Sequence, residues 1–183
     1  MKIITKMSLF FTLLTNIYAT SYVLVEEGVS LSLPTSKIVV FNGTPVEVFS
    51  TNGDNIKVAI KGFMNPSDEK SLYATNNLKL LLAQVPEGNF IKKTGNQGSL
   101  EIEMNKKHLV ESADTAWEKS ADRFYEKCTK CHAAKVVKEH TMLEWEGLYE
   151  SMKEFAKPTD DDSANVLRYL RAYAKDGILG EGK

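Results

Sequence analysis

Apolar and polar residues follow two different patterns along this chain, and the change falls near residue 105. Before that point, short apolar or alternating runs are separated by turn formers such as Asn42-Gly43, which is typical of β-strands. The clearest hairpin is predicted over residues 46–63, where Val and Ile alternate with polar residues on both sides of Asn52-Gly53-Asp54. The predicted strands are SYVLVEE, KIVVF, TPVEVFST, IKVAIKGFM, LKLLLAQV and SLEIEM. Because an isolated hairpin is marginal in water, residues 20–105 are predicted to form one small antiparallel barrel or sandwich of SH3-like size.

After residue 105 the apolar residues recur every three or four positions, which is the spacing of amphipathic helices. One helix is predicted to end just before Cys128, a second to span about residues 143–155, and a third to lie between Pro158 and Gly177. Their apolar faces are Ala113, Trp117, Ala121 and Phe124 in the first, Trp145, Leu148, Met152 and Phe155 in the second, and Val166, Leu167, Leu170, Tyr173 and Ala174 in the third. Three short helices enclose little core, so the helical domain of residues 106–183 is predicted to need a covalent or metal-based crosslink. The predicted fold class is therefore α+β.

Residues 1–19 have the pattern of an export signal. Lys2 and Lys6 precede the apolar run Met7–Leu14, and Ala19 is a small residue suited to precede cleavage. That run is too short to span a bilayer of roughly 30 Å as a helix, and no later stretch approaches about 18 consecutive apolar residues. We therefore expect an exported, periplasmic protein that is cleaved near Ala19 and has no permanent membrane span; an uncleaved anchor and a buried N-terminal strand are the alternatives.

The charge balance gives no indication of a nucleic-acid partner. The formal net charge of the 183 residues is −1, and loss of Lys2 and Lys6 with the signal segment would make it −3. Proteins that bind nucleic acid nonspecifically carry a strong positive charge, which is missing here.

Both cysteines of the chain lie in one short segment, EKCTKCHAAK, with a histidine directly after the second. The spacing Cys128-x-x-Cys131-His132 matches covalent attachment of one haem c, in which two thioethers hold the porphyrin and the imidazole ligates the iron. A thioredoxin-type redox pair expects a preceding strand, whereas an amphipathic helix is predicted here. A tetrahedral zinc site needs four ligands, and no further cysteine is present. A structural disulfide would leave His132 unexplained.

The second axial ligand of the iron decides what such a haem does. Met152 lies 20 residues after His132 and shares a predicted helix face with Trp145, so it is the expected sixth ligand. His140 is the alternative, although only eight residues separate it from His132. The competing interpretation is that Met152 is an ordinary core residue. The remaining candidates are Met142, His108, Met64 and Met104.

The sequence around the motif resembles monohaem c-type cytochrome domains of the class I type, which combine C-x-x-C-H, a later W-x6-M and a closing helix with Tyr-Leu. More narrowly, it resembles the C-terminal haem domain of the pentahaem cytochromes that donate electrons to trimethylamine N-oxide reductase. This resemblance covers roughly residues 45–175 and is carried by VAIKGFM, LYATNNLKLLLAQV, EMNKKHLV, ADRFYEKCTKCH and the His, Trp and Met that follow. It implies a three-helix cytochrome c domain in which Cys128 and Cys131 attach the haem, His132 is the proximal ligand and Met152 the distal ligand.

The resemblance also implies a function. The expected protein is a periplasmic electron carrier, not an enzyme, that donates electrons to a molybdopterin N- or S-oxide reductase in anaerobic respiration. Because the sequence has one haem motif and no persistent anchor, a membrane quinol-oxidising cytochrome or another redox protein is the expected electron donor. The alternative is a haem-based ligand-binding or sensor module with an open distal site.

Overall fold

The computed structural model describes residues 20–180, so the predicted export signal lies outside the described residues. Within these residues the fold is α+β, with ten strands in one curled antiparallel sheet followed by three α-helices, as the sequence predicted at this level. The strands are β1 Thr20–Val23, β2 Ser30–Ser32, β3 Val39–Phe41, β4 Pro45–Asn52, β5 Asn55–Asn65, β6 Asp68–Tyr73, β7 Leu81–Gln84, β8 Lys92–Thr94, β9 Gln97–Asn105 and β10 Leu109–Val110. The α-helices are α1 Ala113–Cys128, α2 Met142–Ala156 and α3 Asp160–Tyr173, and single 3₁₀ turns occupy Gly88–Phe90, Lys106–His108 and Val137–Glu139.

The sheet curls into a half-barrel around the long strand β5. The strand order is β10-β1-β4-β5-β6-β7-β3-β2, and β9 pairs with β5 along residues 55–63 on the edge opposite β4. The predicted β4–β5 hairpin is confirmed, with Asn52 opposite Asn55 around a turn in which Gly53 has a φ of 61°. The alternation buries Val46, Ile56, Val58 and Ile60 in the core of the half-barrel.

The sequence analysis did not predict four of the strands, because their sequences are short or polar. These are β2, β6, β8 and β10, and β6 has the sequence DEKSLY, in which only Ser71 and Leu72 are buried. β10 lies after residue 105, in the part of the chain that was predicted to be helical, yet it pairs with β1 in the sheet. Pairing with another strand, rather than hydrophobic alternation within the segment, makes each of them a strand. β2, β6 and β8 pair with the next strand along the chain, and β10 pairs with the distant β1.

The three predicted helices are present, and local signals fix their ends. The hydroxyl of Ser112 accepts a hydrogen bond from the backbone N–H of Thr115 at the start of α1. Thr141 and Glu144 form a reciprocal capping box at the start of α2. α3 ends at Tyr173 rather than at Gly177, because Ala174 leaves the helical conformation.

The helices have a larger apolar core than the sequence indicated, because the β-rich domain contributes to it. Trp117, Phe124, Trp145 and Tyr149 are buried together, and Leu80 from the segment before β7 joins them. No helix within residues 20–180 is both long enough and apolar enough to cross a bilayer.

A buried arginine joins the two parts of the molecule. Arg168 on α3 donates hydrogen bonds of 2.7 Å and 2.9 Å to the backbone oxygens of Leu81 and Asn42. The side chain of Asn42 accepts from the backbone N–H of Val25 and donates to the backbone oxygen of Ala116 on α1. Burial lowers the pKa of Arg168 to about 9, and its guanidinium lies 4.8 Å from the centre of the Phe41 ring. These contacts hold α1 and α3 against the β-rich part of the molecule.

Candidate functional site

A cleft of about 730 Å³ lies between the end of α1 and the last turns of α2. Its volume is within the range of small-molecule and cofactor pockets, roughly 300–1,000 Å³. One wall comes from α1 and the loop after it, the other from α2. The lining residues are Lys127, Cys128, Lys130, Cys131 and His132 on the first wall, and Ser151, Met152, Phe155 and Ala156 on the second. The structure therefore brings together all four residues that the sequence analysis assigned to the haem.

The two cysteines are free thiols at the end of α1. Cys128 is the last helical residue and is half-buried, and this burial raises the pKa of its thiol. Cys131 is exposed three residues further on, past a turn in which the hydroxyl of Thr129 donates a 2.6 Å hydrogen bond to the backbone oxygen of Tyr125. A raised pKa keeps the Cys128 thiol protonated at neutral pH, so nucleophilic thiolate chemistry of a redox pair is not favoured there.

The imidazole of His132 is held by its own loop. Its Nδ1 lies 2.7 Å from the backbone oxygen of Ala133. A carbonyl oxygen only accepts hydrogen bonds, so Nδ1 is the nitrogen that carries the proton. The lone pair of the neutral ring is then on Nε2, which is the arrangement that metal-ligating histidines use.

The other methionines lie elsewhere. Met142 is completely buried at the start of α2, where the side-chain amide of Asn77 donates to its sulfur at 3.4 Å. Met64 and Met104 belong to the core of the half-barrel. Of the four methionines in residues 20–180 that the sequence analysis considered, Met152 is the one that lines the cleft.

The two histidine alternatives are also placed outside the lining of this cleft. His140 is half-buried, with its ring edge-to-face against Trp145 at a centroid distance of 5.2 Å. His108 lies in the 3₁₀ turn after β9, within the β-rich part.

Phe155 was predicted to share the buried face of α2, and this prediction was wrong. Its side chain is 83% exposed, while Trp145 on the same predicted stripe is fully buried. The final turn of α2 extends past the helical core and runs along the cleft, so Phe155 contributes an uncovered aromatic surface there. Ser151 and Ala156 also line the cleft and were not identified, since they lie off the apolar stripe of α2.

The residues of the cleft fit a covalently held haem. The two thiols have the spacing needed for covalent attachment. The imidazole, with its Nε2 lone pair available, and the thioether on the facing wall are suited to bind the iron. The exposed phenyl ring of Phe155 offers apolar cover. Within the described residues, no three His, Cys, Asp or Glu side chains are grouped so that they would hold a bare metal ion.

Comparisons with protein-family models, with curated proteins and with solved structures find no match to this chain.

Proposed function

We propose that the protein is a monohaem c-type cytochrome that works as a periplasmic electron carrier. The observation that carries this proposal is the single cleft that joins Cys128, Cys131 and His132 on one wall to Met152 on the other. A methionine that faces a C-x-x-C-H segment across a cavity of cofactor size supports this proposal.

Each residue has a distinct role in this proposal. The thiols of Cys128 and Cys131 would hold the haem covalently through two thioether bonds. His132 would bind the iron through Nε2, and its Nδ1–H donates to the backbone oxygen of Ala133, which fixes the ring orientation. Met152 would provide the second iron ligand from the facing wall of the cleft. The bound haem supplies reversible one-electron transfer.

The ligand set supports a carrier rather than a catalyst. Ligation by both His132 and Met152 would leave the iron no open position for substrate, and a thioether ligand would raise the reduction potential relative to two imidazoles. The proposed electron acceptor is a molybdopterin N- or S-oxide reductase in anaerobic respiration, and the proposed donor is a membrane quinol-oxidising cytochrome or another redox protein. Both partners, the periplasmic location and the three-helix cytochrome c domain rest on the sequence pattern and its resemblance.

Haem attachment is tested by producing the full chain in a bacterial periplasm together with a cytochrome c maturation system. Intact-mass spectrometry is expected to give a mature chain heavier by one haem, and the pyridine haemochrome spectrum is expected to be that of two thioether bonds. Cys131→Ser should retain one thioether and shift that spectrum, while Cys128→Ser combined with Cys131→Ser should carry no covalent haem. A wild-type chain of unmodified mass under these conditions would overturn the proposal.

The electron-transfer direction is tested separately. The reduced protein is mixed in a stopped-flow instrument with a periplasmic trimethylamine N-oxide reductase and its substrate. Oxidation of the haem that depends on both enzyme and substrate supports the assignment. If the protein carries haem but the haem is not oxidised, the cytochrome assignment would stand and this electron acceptor would be excluded.

A further inference from the structure

The half-barrel leaves part of one strand edge open. β9 spans nine residues and pairs with β5 along its whole length on one edge, whereas β8 covers its other edge only at residues 97–99. Beyond Ser99, no strand within residues 20–180 pairs with that second edge. The open edge therefore extends over residues 101–105, and a row of unpaired backbone groups is a ready template for another strand.

The turn between β8 and β9 determines which backbone groups point outward. Thr94 and Gln97 flank a two-residue turn in which Gly95 has a φ of 64°, and the residues flanking such a turn exchange both backbone hydrogen bonds. Outward-facing backbone groups then recur at every second residue after Gln97. Glu101 and Glu103 therefore present their N–H and C=O groups to the open edge.

A groove runs along this edge. It has a volume of about 650 Å³ and lies between β9 and the segment of residues 31–38 at the other end of the curled sheet. Its apolar lining includes Leu31, Met104 and Phe90, whose side chain is 42% exposed. The groove therefore offers apolar contacts beside the unpaired backbone.

The exposed side chains on this part of β9 are acidic. Leu100, Ile102 and Met104 are buried in the core, whereas Glu101 and Glu103 alternate with them on the solvent side. Side chains directly across two antiparallel strands interact, and like charges in such positions are destabilising. An added strand would therefore favour Lys or Arg beside these carboxylates, as Lys92 of β8 already shows by its 2.6 Å ion pair with Glu101.

We propose that the open edge of β9 is a docking site for an extended segment of a partner protein in which apolar residues alternate with basic residues. The segment adds antiparallel to residues 101–105, with its apolar side chains in the groove and its basic side chains beside Glu101 and Glu103. This inference concerns the β-rich domain and does not depend on haem attachment, and it supplies a specific role for a domain that contains no candidate redox group among its described residues.

The probe for this site is a fluorescein-labelled peptide, Thr-Lys-Ile-Lys-Ile-Lys-Thr, with blocked ends. Saturable binding to the full mature protein is expected by fluorescence anisotropy, together with slower amide hydrogen exchange at Glu101 and Glu103. A peptide of the same composition in the order Thr-Lys-Lys-Lys-Ile-Ile-Thr should bind at least about fivefold more weakly, because it loses the alternation. Methylation of the lysine amide nitrogens should also weaken binding, since those groups would donate to β9.

The matched variants are Glu103→Lys and Glu118→Lys, which change the net charge equally. Glu118 is an exposed residue on α1, outside the groove. We expect Glu103→Lys to weaken binding of the alternating peptide about fivefold or more. Glu118→Lys should leave the affinity for this peptide within about twofold of the wild-type value. Equal weakening by both variants would mean nonspecific charge attraction and would overturn the proposal. The proposal would also be overturned if hydrogen exchange were slowed at another surface or if the peptide did not bind at millimolar concentration. A second copy of the chain occupying the edge, seen as a dimer by sedimentation velocity, would overturn it as well.

Discussion

The indole Nε1 of Trp145 donates a 2.8 Å hydrogen bond to the backbone oxygen of Val137. This bond ties α2 to the loop that follows His132, and both groups are buried. Because α2 carries Met152, the bond helps to set the position of one wall of the cleft relative to the other. At the same end of α2, Asp176 accepts a 2.7 Å hydrogen bond from the backbone N–H of Met142.

Replacing Trp145 by Phe is expected to destabilise the protein more than the same change at Trp117. Both rings are buried, but Nε1 of Trp117 has no hydrogen-bond partner among the described residues. Val137 keeps a longer hydrogen bond of 3.4 Å from the N–H of His140, so the difference in unfolding free energy should be about 1 kcal/mol. Urea unfolding of the two variants measures it, and equal losses would show that the Trp145 hydrogen bond contributes nothing.

If Met152 binds the haem iron as proposed, Met152→Leu should open the sixth iron position, whereas Met142→Leu should leave it filled. Ferric Met152→Leu should lose the near-infrared band of thioether ligation, and its ferrous form should bind carbon monoxide rapidly. Met142 is enclosed in the helical core, so its volume-conserving replacement should cost less than about 1.5 kcal/mol and leave the spectrum unchanged. Rapid carbon monoxide binding by the wild-type protein would instead favour the ligand-binding or sensor function.

Gly43→Ala is expected to be far more destabilising than Gly28→Ala. Both glycines have positive φ values, 75° and 78°, which cost other residues roughly 1–3 kcal/mol. A Cβ at Gly43 would also lie 2.0 Å from Cζ2 of Trp117, while one at Gly28 meets no described atom within 4 Å. The difference in unfolding free energy should therefore be about 2 kcal/mol. Thermal or urea unfolding provides the measurement, and similar losses would mean that Trp117 moves aside freely.

Glu146→Gln is expected to lower the free energy of unfolding at neutral pH and to change how that free energy depends on pH. Burial raises the pKa of Glu146, but Lys79 at 3.0 Å and Arg171 at 2.8 Å lower it more, so the net pKa lies below its ordinary value of 4.5. The stability that this carboxylate adds is therefore fully present above pH 4.5 and is lost as the pH falls through the folded-state pKa. We expect the unfolding free energy of Glu146→Gln to be about 1 kcal/mol below that of the wild-type protein at pH 7, and this difference should become smaller below pH 4.5.

The control for this prediction is Glu47→Gln. Glu47 pairs with Lys61 at 2.7 Å, but both side chains are more exposed than those around Glu146. Its loss at pH 7 should be smaller, about 0.5 kcal/mol or less. Urea unfolding of both variants between pH 3 and pH 7 tests the prediction, and a deficit for Glu146→Gln that stays constant across this range would contradict it.

The elements that sequence reasoning predicted are those with strong local signals. The hairpin around Gly53 and the helix ending at Cys128 follow from hydrophobic period, turn residues and caps within a few positions of one another. The helices were predicted to within a few residues at their ends. β6 and β10 were missed because their strand conformation depends on β7 and β1, and Phe155 was misplaced because a periodic pattern does not show where a helix runs past its core.

The burial of Arg168 illustrates the same limit. A charged residue within an amphipathic helix is ordinarily exposed, yet Arg168 donates to backbone oxygens that lie 87 and 126 residues away along the chain. No local pattern identifies partners at such distances.

The sequence by itself determined the spacing of two thiols and an imidazole within residues 128–132 and the alternation of apolar residues in strands and helices, because both depend on neighbours a few positions apart. Only the tertiary structure decided that Met152 faces those residues across a cleft, while Met142 is enclosed in the core. It also decided that one edge of β9 has no partner strand beyond Ser99 among residues 20–180. These outcomes depend on how distant segments pack against one another, and the free energy of that packing is set by the whole fold rather than by any single stretch of chain.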